Sequence, residues 1–324
     1  MLTQVYPNVY CNQIPLPKTT LKWLNSYIIT SSKRNLIIDT GFNNELCKET
    51  LFNGIKELQL DLSKTDVLMT HIHSDHSALA DILEEKGCTI YASEREAIDF
   101  DKMRDKSFWP DLNRLITLYG MDVNKITVQC SPGYINRAST IPKVIKTLKE
   151  NDQLIYGDYT LNVIELPGHT PGQIGLYEKE HQLFFCGDHI LNTISPNITF
   201  WDFNHDSIEA FLSSLRKVEN LPVKWVFTAH REIITNLKER TQELYHHHEE
   251  RLKEVLNLMK TGEKTVVEVA ALMSWSLEDR TWDTFPRAQK WFACGEAAAH
   301  LENLHNLGKL ERKVIDNVVY YKTI

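Results

Sequence analysis

Residues 70–76 have the sequence Thr-His-Ile-His-Ser-Asp-His, so three histidines and one aspartate fall within six positions. The chain holds 13 histidines in 324 residues, and six positions would contain about a quarter of one by chance. Imidazole and carboxylate groups are ligands of zinc, iron and manganese. Since alternate residues of an extended segment project to one side, His71 and His73 can share one ion. Asp75 and His76 then face a neighbouring position.

Three later segments place ligand-type residues directly after apolar strands. His169 lies in Pro-Gly-His-Thr-Pro-Gly at 167–172, Asp188 follows Leu-Phe-Phe-Cys at 183–186, and His230 follows Val-Phe-Thr at 226–228. For the 70–76 cluster alone, the alternative is a polar loop whose histidines are solvated or cap the next helix. The repeated placement at strand ends favours a metal site instead.

The order of these motifs resembles the metallo-β-lactamase superfamily. His-x-His-x-Asp-His, a lone histidine in Pro-Gly-His-Thr-Pro-Gly, then Gly-Asp and Ala-His match the family's four metal motifs over about residues 20–235. The resemblance implies an α+β fold, a four-layer αββα sandwich, that binds two divalent metal ions. It assigns His71, His73 and His169 to one ion, Asp75, His76 and His230 to the other, and Asp188 to both. Asp39, in Ile-Asp-Thr-Gly at 38–41, is similar to the family's first, mainly structural carboxylate.

The same resemblance implies a dinuclear-metal-dependent hydrolase that acts on a small-molecule substrate. Two cations about 3.5–4 Å apart lower the pKa of a shared water, so a bridging hydroxide can attack a carbonyl carbon at neutral pH. We expect Asp75 to orient this hydroxide and relay a proton, which makes it the candidate catalytic residue. Zinc is the expected metal, with iron and manganese as alternatives because the same ligands accept them.

Departures from the family pattern narrow the substrate class. Dizinc β-lactamases of this fold often carry a cysteine where this chain has Asp188, so a thioester, lactone or other ester-like carbonyl is favoured over a β-lactam. The sequence resembles the glyoxalase II branch, but it has no clear counterpart of that branch's basic glutathione site. Many relatives have Gly-Gly after the histidine cluster where this chain has Ser-Ala-Leu-Ala at 77–80, and Arg231 stands where glycine is usual.

Three other functions stay open. A phosphodiesterase or nuclease can use the same paired metals, although the acidic composition and the missing large nuclease insertion count against it. A non-catalytic regulator could sense a ligand at the metal centre and contact DNA or a partner through the C-terminal residues. A mononuclear iron oxygenase is the third, but the complete set of seven ligands favours two metals over one.

The chain is expected to form two domains, a catalytic domain at 1–244 and a winged-helix-like domain at 245–324. An inserted lid-like segment is expected at about 100–150, where Phe108-Trp109-Pro110 and Gly133-Tyr134 interrupt regular elements. Phe108, Trp109 and Tyr119 either line the substrate cleft or pack in the core. The C-terminal part carries 11 Lys and Arg against 12 Asp and Glu, so packing, a homodimer or closure over the site is favoured over DNA binding.

Local patterns predict most of the helices and strands. The expected elements are a hairpin from 27–30 to 36–38, strands at 67–69, 153–156, 159–166, 174–177, 183–186 and 223–227, helices at 45–58, 206–215, 235–260 and 293–307, a capping box at 265–268 and a hairpin within 309–321. His246, His247 and His248 fall on the long helix, where side chains about 100° apart cannot converge on one ion.

Composition limits the partners and the location. A net charge of −7 gives no long-range attraction to nucleic acid or anionic membranes. The six cysteines have no CxxC spacing, which predicts free thiols. The sequence shows neither a secretory signal nor an apolar run near the ~20 residues of a membrane span, so we expect a cytoplasmic protein without a membrane partner.

Overall fold

Two β-sheets packed face to face form the centre of the computed structural model, which describes residues 1–122, 126, 141–276 and 281–324. The first sheet contains, in spatial order, β1 Leu2–Tyr6, β2 Val9–Pro15, β3 Trp23–Ile29, β4 Asn35–Ile38, β5 Thr65–Leu68, β6 Thr89–Ser93 and β7 Ile145–Leu148. Strands β1 to β4 pair antiparallel, and β4 to β7 pair parallel. The predicted hairpin is confirmed, with Tyr27 of β3 opposite Ile38 of β4.

Helices connect the parallel strands and cover the outer face of this sheet, because a parallel crossover needs a long connection. They are α1 Glu45–Glu57 between β4 and β5, α2 Ser74–Ser77 and α3 Ala80–Glu85 between β5 and β6, and α4 Glu94–Arg104 and α5 Phe108–Leu118 after β6. Leu51 of α1 and Phe100 of α4 pack in one buried cluster with Val67 of β5. The bounds of α1 confirm the helix predicted at 45–58.

The second sheet has the strand order β12-β11-β10-β9-β8. Its strands are β8 Gln153–Tyr156, β9 Tyr159–Glu165, β10 Ile174–Glu178, β11 Leu183–Gly187 and β12 Trp225–Thr228. Only β11 and β12 pair parallel within it, and α6 Ser207–Val218 connects them. All five strands lie within about two residues of their predicted bounds.

Side chains of alternate residues divide the core into layers. Leu183 and Phe185 of β11 pack between the sheets, whereas Phe184 and Cys186 point to the helices on the other side. The outer face of the first sheet contacts α1 and α3 to α5, and that of the second contacts α6 and later helices. The order of layers is helix, sheet, sheet, helix, so the predicted four-layer α+β sandwich is confirmed.

The C-terminal elements add a three-stranded sheet and three helices. They are α7 Leu237–Met259, β13 Lys264–Thr265, α8 Val266–Leu272, α9 Arg287–Asn306, β14 Leu310–Ile315 and β15 Val318–Thr323, with strand order β13-β15-β14. Thr265 and Glu268 form the predicted capping box at the start of α8. The predicted domain boundary at residues 244/245 falls inside α7, and the division stays a prediction. Among the described residues, no helix is long and apolar enough to cross a bilayer.

The structure corrects part of the interpretation of residues 100–150. Phe108-Trp109-Pro110 does not interrupt regular structure, since it forms the first turn of α5, where proline loses no helical hydrogen bond. Ile145–Leu148 forms the edge strand β7 of the first sheet. Gly133-Tyr134 and the other residues at 123–125 and 127–140 lie outside the described part, so the lid stays a prediction.

Candidate metal centre

All seven predicted ligand residues lie just beyond strand ends. The segment 71–76 follows β5 and runs into α2, and Asp188 directly follows β11. His230 follows β12, and His169 lies in the loop between β9 and β10. The structure brings all seven together in three overlapping groups, each with ligand atoms within 4.8 Å of one another.

His71, His73 and His169 form the first group. His73 Nδ1 lies 3.0 Å from His71 Nε2 and 2.9 Å from His169 Nε2. Nitrogens bound 2.0–2.1 Å from one tetrahedral zinc ion would be about 3.3 Å apart, which is close to this spacing. The three rings meet edge to face instead of stacking, and their nitrogens converge on one position.

Asp75, His76 and His230 form the second group, and Asp188 lies between the two. Asp75 Oδ2 is 3.3 Å from His230 Nε2 and 3.6 Å from His76 Nε2. Asp188 Oδ2 is 3.6 Å from both His76 Nε2 and His169 Nε2, and Asp188 Oδ1 is 3.4 Å from His230 Nε2. The Asp188 carboxylate therefore contacts members of both groups, as the resemblance to the family implied.

A fixed acceptor orients the imidazole in three of the histidines. The acceptors of the Nδ1 protons are Asp39 Oδ2 for His76 (2.8 Å), the Asn197 carbonyl for His169 (2.7 Å) and the Trp23 carbonyl for His230 (2.8 Å). Because Nδ1 faces the acceptor, Nε2 is the nitrogen that points into the group and is available to a metal. The sequence indicated Asp39 but not the two carbonyls, since a main-chain acceptor leaves no mark on residue type.

The buried atoms of the site fit a pair of divalent ions. His76 Nε2, His230 Nε2 and Asp188 Oδ1 are buried, and each lacks a hydrogen-bond partner in the described part of the chain. A buried polar atom without a partner costs about 1–3 kcal/mol. Metal coordination would satisfy all three atoms, and the mixed nitrogen and oxygen donors suit zinc, iron or manganese.

The protonation states differ between the groups. Burial and the neighbouring His169 lower the pKa of His73 to about 3, so its ring is neutral and able to bind metal. Burial favours the protonated form of Asp75, but His76 and His230 outweigh burial and lower the Asp75 pKa to about 2. Burial also disfavours charged His230, yet the neighbouring aspartates raise its pKa to about 10. A metal at the second group therefore has to displace a proton from His230.

One tryptophan borders the first group. The Trp201 ring lies nearly parallel to that of His73, with ring centroids 6.5 Å apart, and Trp201 Nε1 has no hydrogen-bond partner among the described residues. Phe108 and Trp109 contact each other edge to face and pack against the core on the helix side of the first sheet. Tyr119, by contrast, is 1% exposed and belongs to the core around α6 and α7. Sequence analysis missed Trp201, which lies in an irregular segment with no periodic pattern.

The remaining histidines lie outside the centre. His189 is buried with its ring against Phe211, and burial lowers its pKa to about 3. His246 is exposed and His248 is buried against His300. The three consecutive histidines of α7 therefore point in different directions, as the helical spacing predicted.

Two departures from the family pattern have local explanations. Ser77 Oγ donates to the carbonyls of Ile72 and His73, at 3.0 and 2.8 Å, and so fixes the turn where relatives have glycine. Arg231 has φ +68, the left-handed region in which glycine is unstrained. Its guanidinium donates to the Thr20 carbonyl at 2.7 Å, which holds this conformation.

The chain is similar in sequence and in structure to known proteins. Residues 24–230 match the family model described as the metallo-beta-lactamase superfamily. The human acyl-coenzyme A thioesterase MBLAC2 is 27% identical over 172 residues, which cover 51% of this chain and 57% of that protein. The hydroxyacylglutathione hydrolase GloC of Haemophilus influenzae is 28% identical over 202 residues, 62% of this chain and 81% of that protein.

A solved structure of the same fold matches along nearly the whole chain. It is the metallo-beta-lactamase family protein TTHA1429 from Thermus thermophilus, with TM-score 0.84, 25% identity and coverage of 99% of this chain and 100% of that one. The match includes the C-terminal helices and strands. The curated thioesterase, in contrast, is matched over little more than half of its length.

Proposed function

This chain belongs to the metallo-β-lactamase superfamily, and from that premise we propose that it is a metal-dependent hydrolase of thioesters or related ester-like carbonyl compounds. The observation that carries the proposal is the convergence of seven candidate ligand side chains, six of them buried, on two adjacent positions that share Asp188. Relatives named as a thioesterase and as a hydroxyacylglutathione hydrolase support the substrate class and a glyoxalase II-like branch.

The ligand groups fit two ions, most simply zinc, with iron and manganese as alternatives. His71, His73 and His169 would hold one, Asp75, His76 and His230 the other, and Asp188 would contact both. Bound there, the ions would supply Lewis acidity toward water and toward the substrate carbonyl oxygen. The fixed acceptors behind His76, His169 and His230 keep Nε2 of each ring directed into the site before metal arrives.

Asp75 is the proposed catalytic residue. Its pKa of about 2 leaves the carboxylate deprotonated at neutral pH, so it can accept a proton from attacking water and pass it to the leaving group. Its side chain is 11% exposed, whereas those of His76 and His230 are fully buried. Trp201 offers apolar surface for an acyl chain beside the first group.

The C-terminal elements fit a winged-helix-like unit at 245–324, in which β14 and β15 form the wing. This assignment, the domain division and a homodimer remain proposals. The nearly balanced charge of these residues supports a packing role over binding to a nucleic acid. A phosphodiesterase is the second candidate function, because paired metals also serve that reaction.

The test combines elemental analysis of the purified protein with hydrolysis assays on thioesters, lactones, phosphodiesters and β-lactams. We expect about two divalent ions per chain and turnover of a thioester or lactone. His73→Ala should lower metal content and reduce kcat/KM by more than about 100-fold. This loss exceeds the one expected from changing a residue that only orients a ligand. His246→Ala, an exposed histidine of α7, is the matched control and should change neither. Two ions with turnover of phosphodiesters alone would favour the second candidate.

A further inference from the structure

The segment between Asp188 and α6 is held in place from the C-terminal helices. Residues 189–206 contain no helix or strand, yet they carry the Asn197 carbonyl that orients His169. Arg240 of α7 donates to the carbonyls of Leu191 and Ile194, at 2.7 and 2.9 Å. Because no helix or strand ladder positions the Asn197 carbonyl, its position depends largely on such outside contacts.

Helix α9 approaches the same segment closely. Phe200 donates its main-chain N–H to the Gly295 carbonyl at 3.0 Å. A Cβ at Gly295 would lie 2.0 Å from Thr199 Oγ1, so the helix and the segment meet without space for a side chain. The backbone on the C-terminal side of Asn197 is therefore fixed against α9.

A buried ion pair fixes the Asn197 side chain itself. Asn197 Nδ2 donates to Glu296 Oε2 of α9 at 2.9 Å, and Arg251 Nη2 of α7 lies 3.3 Å from Glu296 Oε1. The side chains of Glu296 and Arg251 are only 12% and 10% exposed. In this setting the carboxylate has few competing water contacts, and its hydrogen bonds are directional.

Arg251 is fixed in turn by its own neighbours. Its Nη1 donates to Glu254 Oε2 and to the Ser274 carbonyl, both at 2.7 Å. The guanidinium lies over the Trp275 ring, 4.4 Å from its centroid. A continuous series of contacts thus connects α7 and α9, through Glu296 and Asn197, to the imidazole of His169.

We propose that Glu296 is a positioning residue for the first metal group, acting through Asn197 on His169, and that α7 and α9 are thereby part of the support of the metal centre. The inference rests on the proposed function, because it takes His169 as a metal ligand. It goes beyond the family pattern, since that pattern assigns the C-terminal elements no part in holding a ligand.

The test is Zn²⁺ affinity of the full-length protein, measured by competition with a chromophoric chelator, together with the absorption spectrum of the Co²⁺-loaded protein. Glu296→Ala should weaken the binding of one of two ions by about 10–100-fold and change the Co²⁺ spectrum. Asn197→Ala keeps the carbonyl but removes the amide that Glu296 holds, so it should weaken the same ion. Glu296→Gln retains an oxygen acceptor for Asn197 and should restore part of the affinity.

Glu302→Ala is the matched control. Glu302 is a buried carboxylate of the same helix, paired with Arg312 and Tyr321, and none of its described hydrogen bonds reaches Asn197. Its partner Arg312 lies over the Phe203 ring, six residues beyond Asn197. Its removal should lower the unfolding temperature and leave both Zn²⁺ affinities unchanged. Wild-type affinity in Glu296→Ala, or an equal loss in Glu302→Ala, would overturn the inference while the proposed function stands. A wild-type protein that binds no Zn²⁺ would overturn the proposed function itself.

Discussion

The side chain of Asp39 orients the ring of His76, one of the candidate metal ligands. Its carboxylate accepts from His76 Nδ1 at 2.8 Å, from the Thr70 N–H at 2.8 Å and from Thr70 Oγ1 at 2.9 Å. The backbone of Asp39 has φ +63, which turns the chain at the end of β4 toward the segment 70–76. One buried carboxylate thus fixes both the start of that segment and the ring of His76.

Replacing Asp39 by asparagine should weaken metal binding at the second group. An amide has a single oxygen acceptor, so it cannot serve both Thr70 and His76, and a misoriented ring loses about 10–100-fold in metal affinity. Chelator competition on Asp39→Asn measures the loss. Asp66→Asn removes another buried carboxylate, which pairs with Arg34 and Tyr156, and should leave metal affinity unchanged. Equal affinities for the two variants would contradict the role of Asp39.

At the scale of elements, the start of α4 supports the loop that carries His169. Ser93 caps the helix by accepting from the Glu96 N–H, and its hydroxyl donates to the Gly172 carbonyl at 2.6 Å. Glu96 Oε1 accepts from Thr170 Oγ1 and from the Gly172 N–H. Glu96 Oε2 has no partner in the described part of the chain. The first turn of α4, which covers the first sheet, therefore holds the loop of the second sheet that carries His169.

This arrangement predicts a pH dependence of stability. Burial raises the pKa of Glu96 to about 7, although the contacts with Thr170 and Gly172 act against it. The unfolded chain releases this proton near pH 4.5, whereas the folded protein keeps it to about pH 7. The stability from this group is therefore fully present below pH 4.5 and is lost as the pH rises to 7, by about 3 kcal/mol.

Glu96→Gln removes the titrating group and keeps the acceptor for Thr170. Urea unfolding of both proteins at pH 5 and pH 8, with a chelator present, measures the difference. From pH 5 to pH 8, the free energy of unfolding of the variant should rise relative to that of wild type by about 2–3 kcal/mol. A difference between the proteins that stays constant from pH 5 to pH 8 would show that Glu96 does not titrate in this range.

The sequence predicts elements best where apolar periodicity is unbroken. Strands β1 and β2 were missed because β1 is mostly exposed and β2 carries a buried Asn12, whose amide donates to the Thr50 carbonyl. Helix α9 begins at Arg287, six residues before its predicted start, since its first turns are only partly buried and follow no apolar pattern. The local pattern of apolar residues does not reveal a helical turn or a strand that is stabilised mainly by tertiary contacts.

The candidate ligand residues could be named from the sequence because metal chemistry restricts the residue types. The contacts that orient them were predictable only where a side chain supplies the acceptor, as at Asp39. The carbonyls of Trp23 and Asn197 became visible only with the fold, because any residue carries a carbonyl. Glu296 lies 127 positions after His169, and no local pattern connects the two.

At the scale of the whole molecule, one apolar cluster joins the C-terminal elements to the sandwich. It includes Phe184 of β11, Leu215 of α6, Leu244 of α7, Ala298 of α9 and Tyr321 of β15. The predicted boundary at 244/245 therefore cuts through residues that pack together. The two proposed domains would therefore share part of their core.

We predict that the metal-free protein unfolds in a single cooperative transition. Calorimetry should give a calorimetric enthalpy close to the van't Hoff enthalpy, because the shared cluster couples the two parts. Two resolved transitions, one of them reproduced by the isolated residues 245–324, would show that the C-terminal part is an independent domain.

Each metal group draws its ligands from both sheets. His71 and His73 follow a strand of the first sheet, while His169 belongs to the second, and Asp75 and His76 face His230 in the same way. The five cysteines that the structure describes are free thiols. Ions bound at these groups would cross-link the two halves of the sandwich, much as an inter-sheet disulfide does, but reversibly. Removal of the ions by a strong chelator would then weaken the packing between the two sheets as well as abolish the proposed hydrolysis.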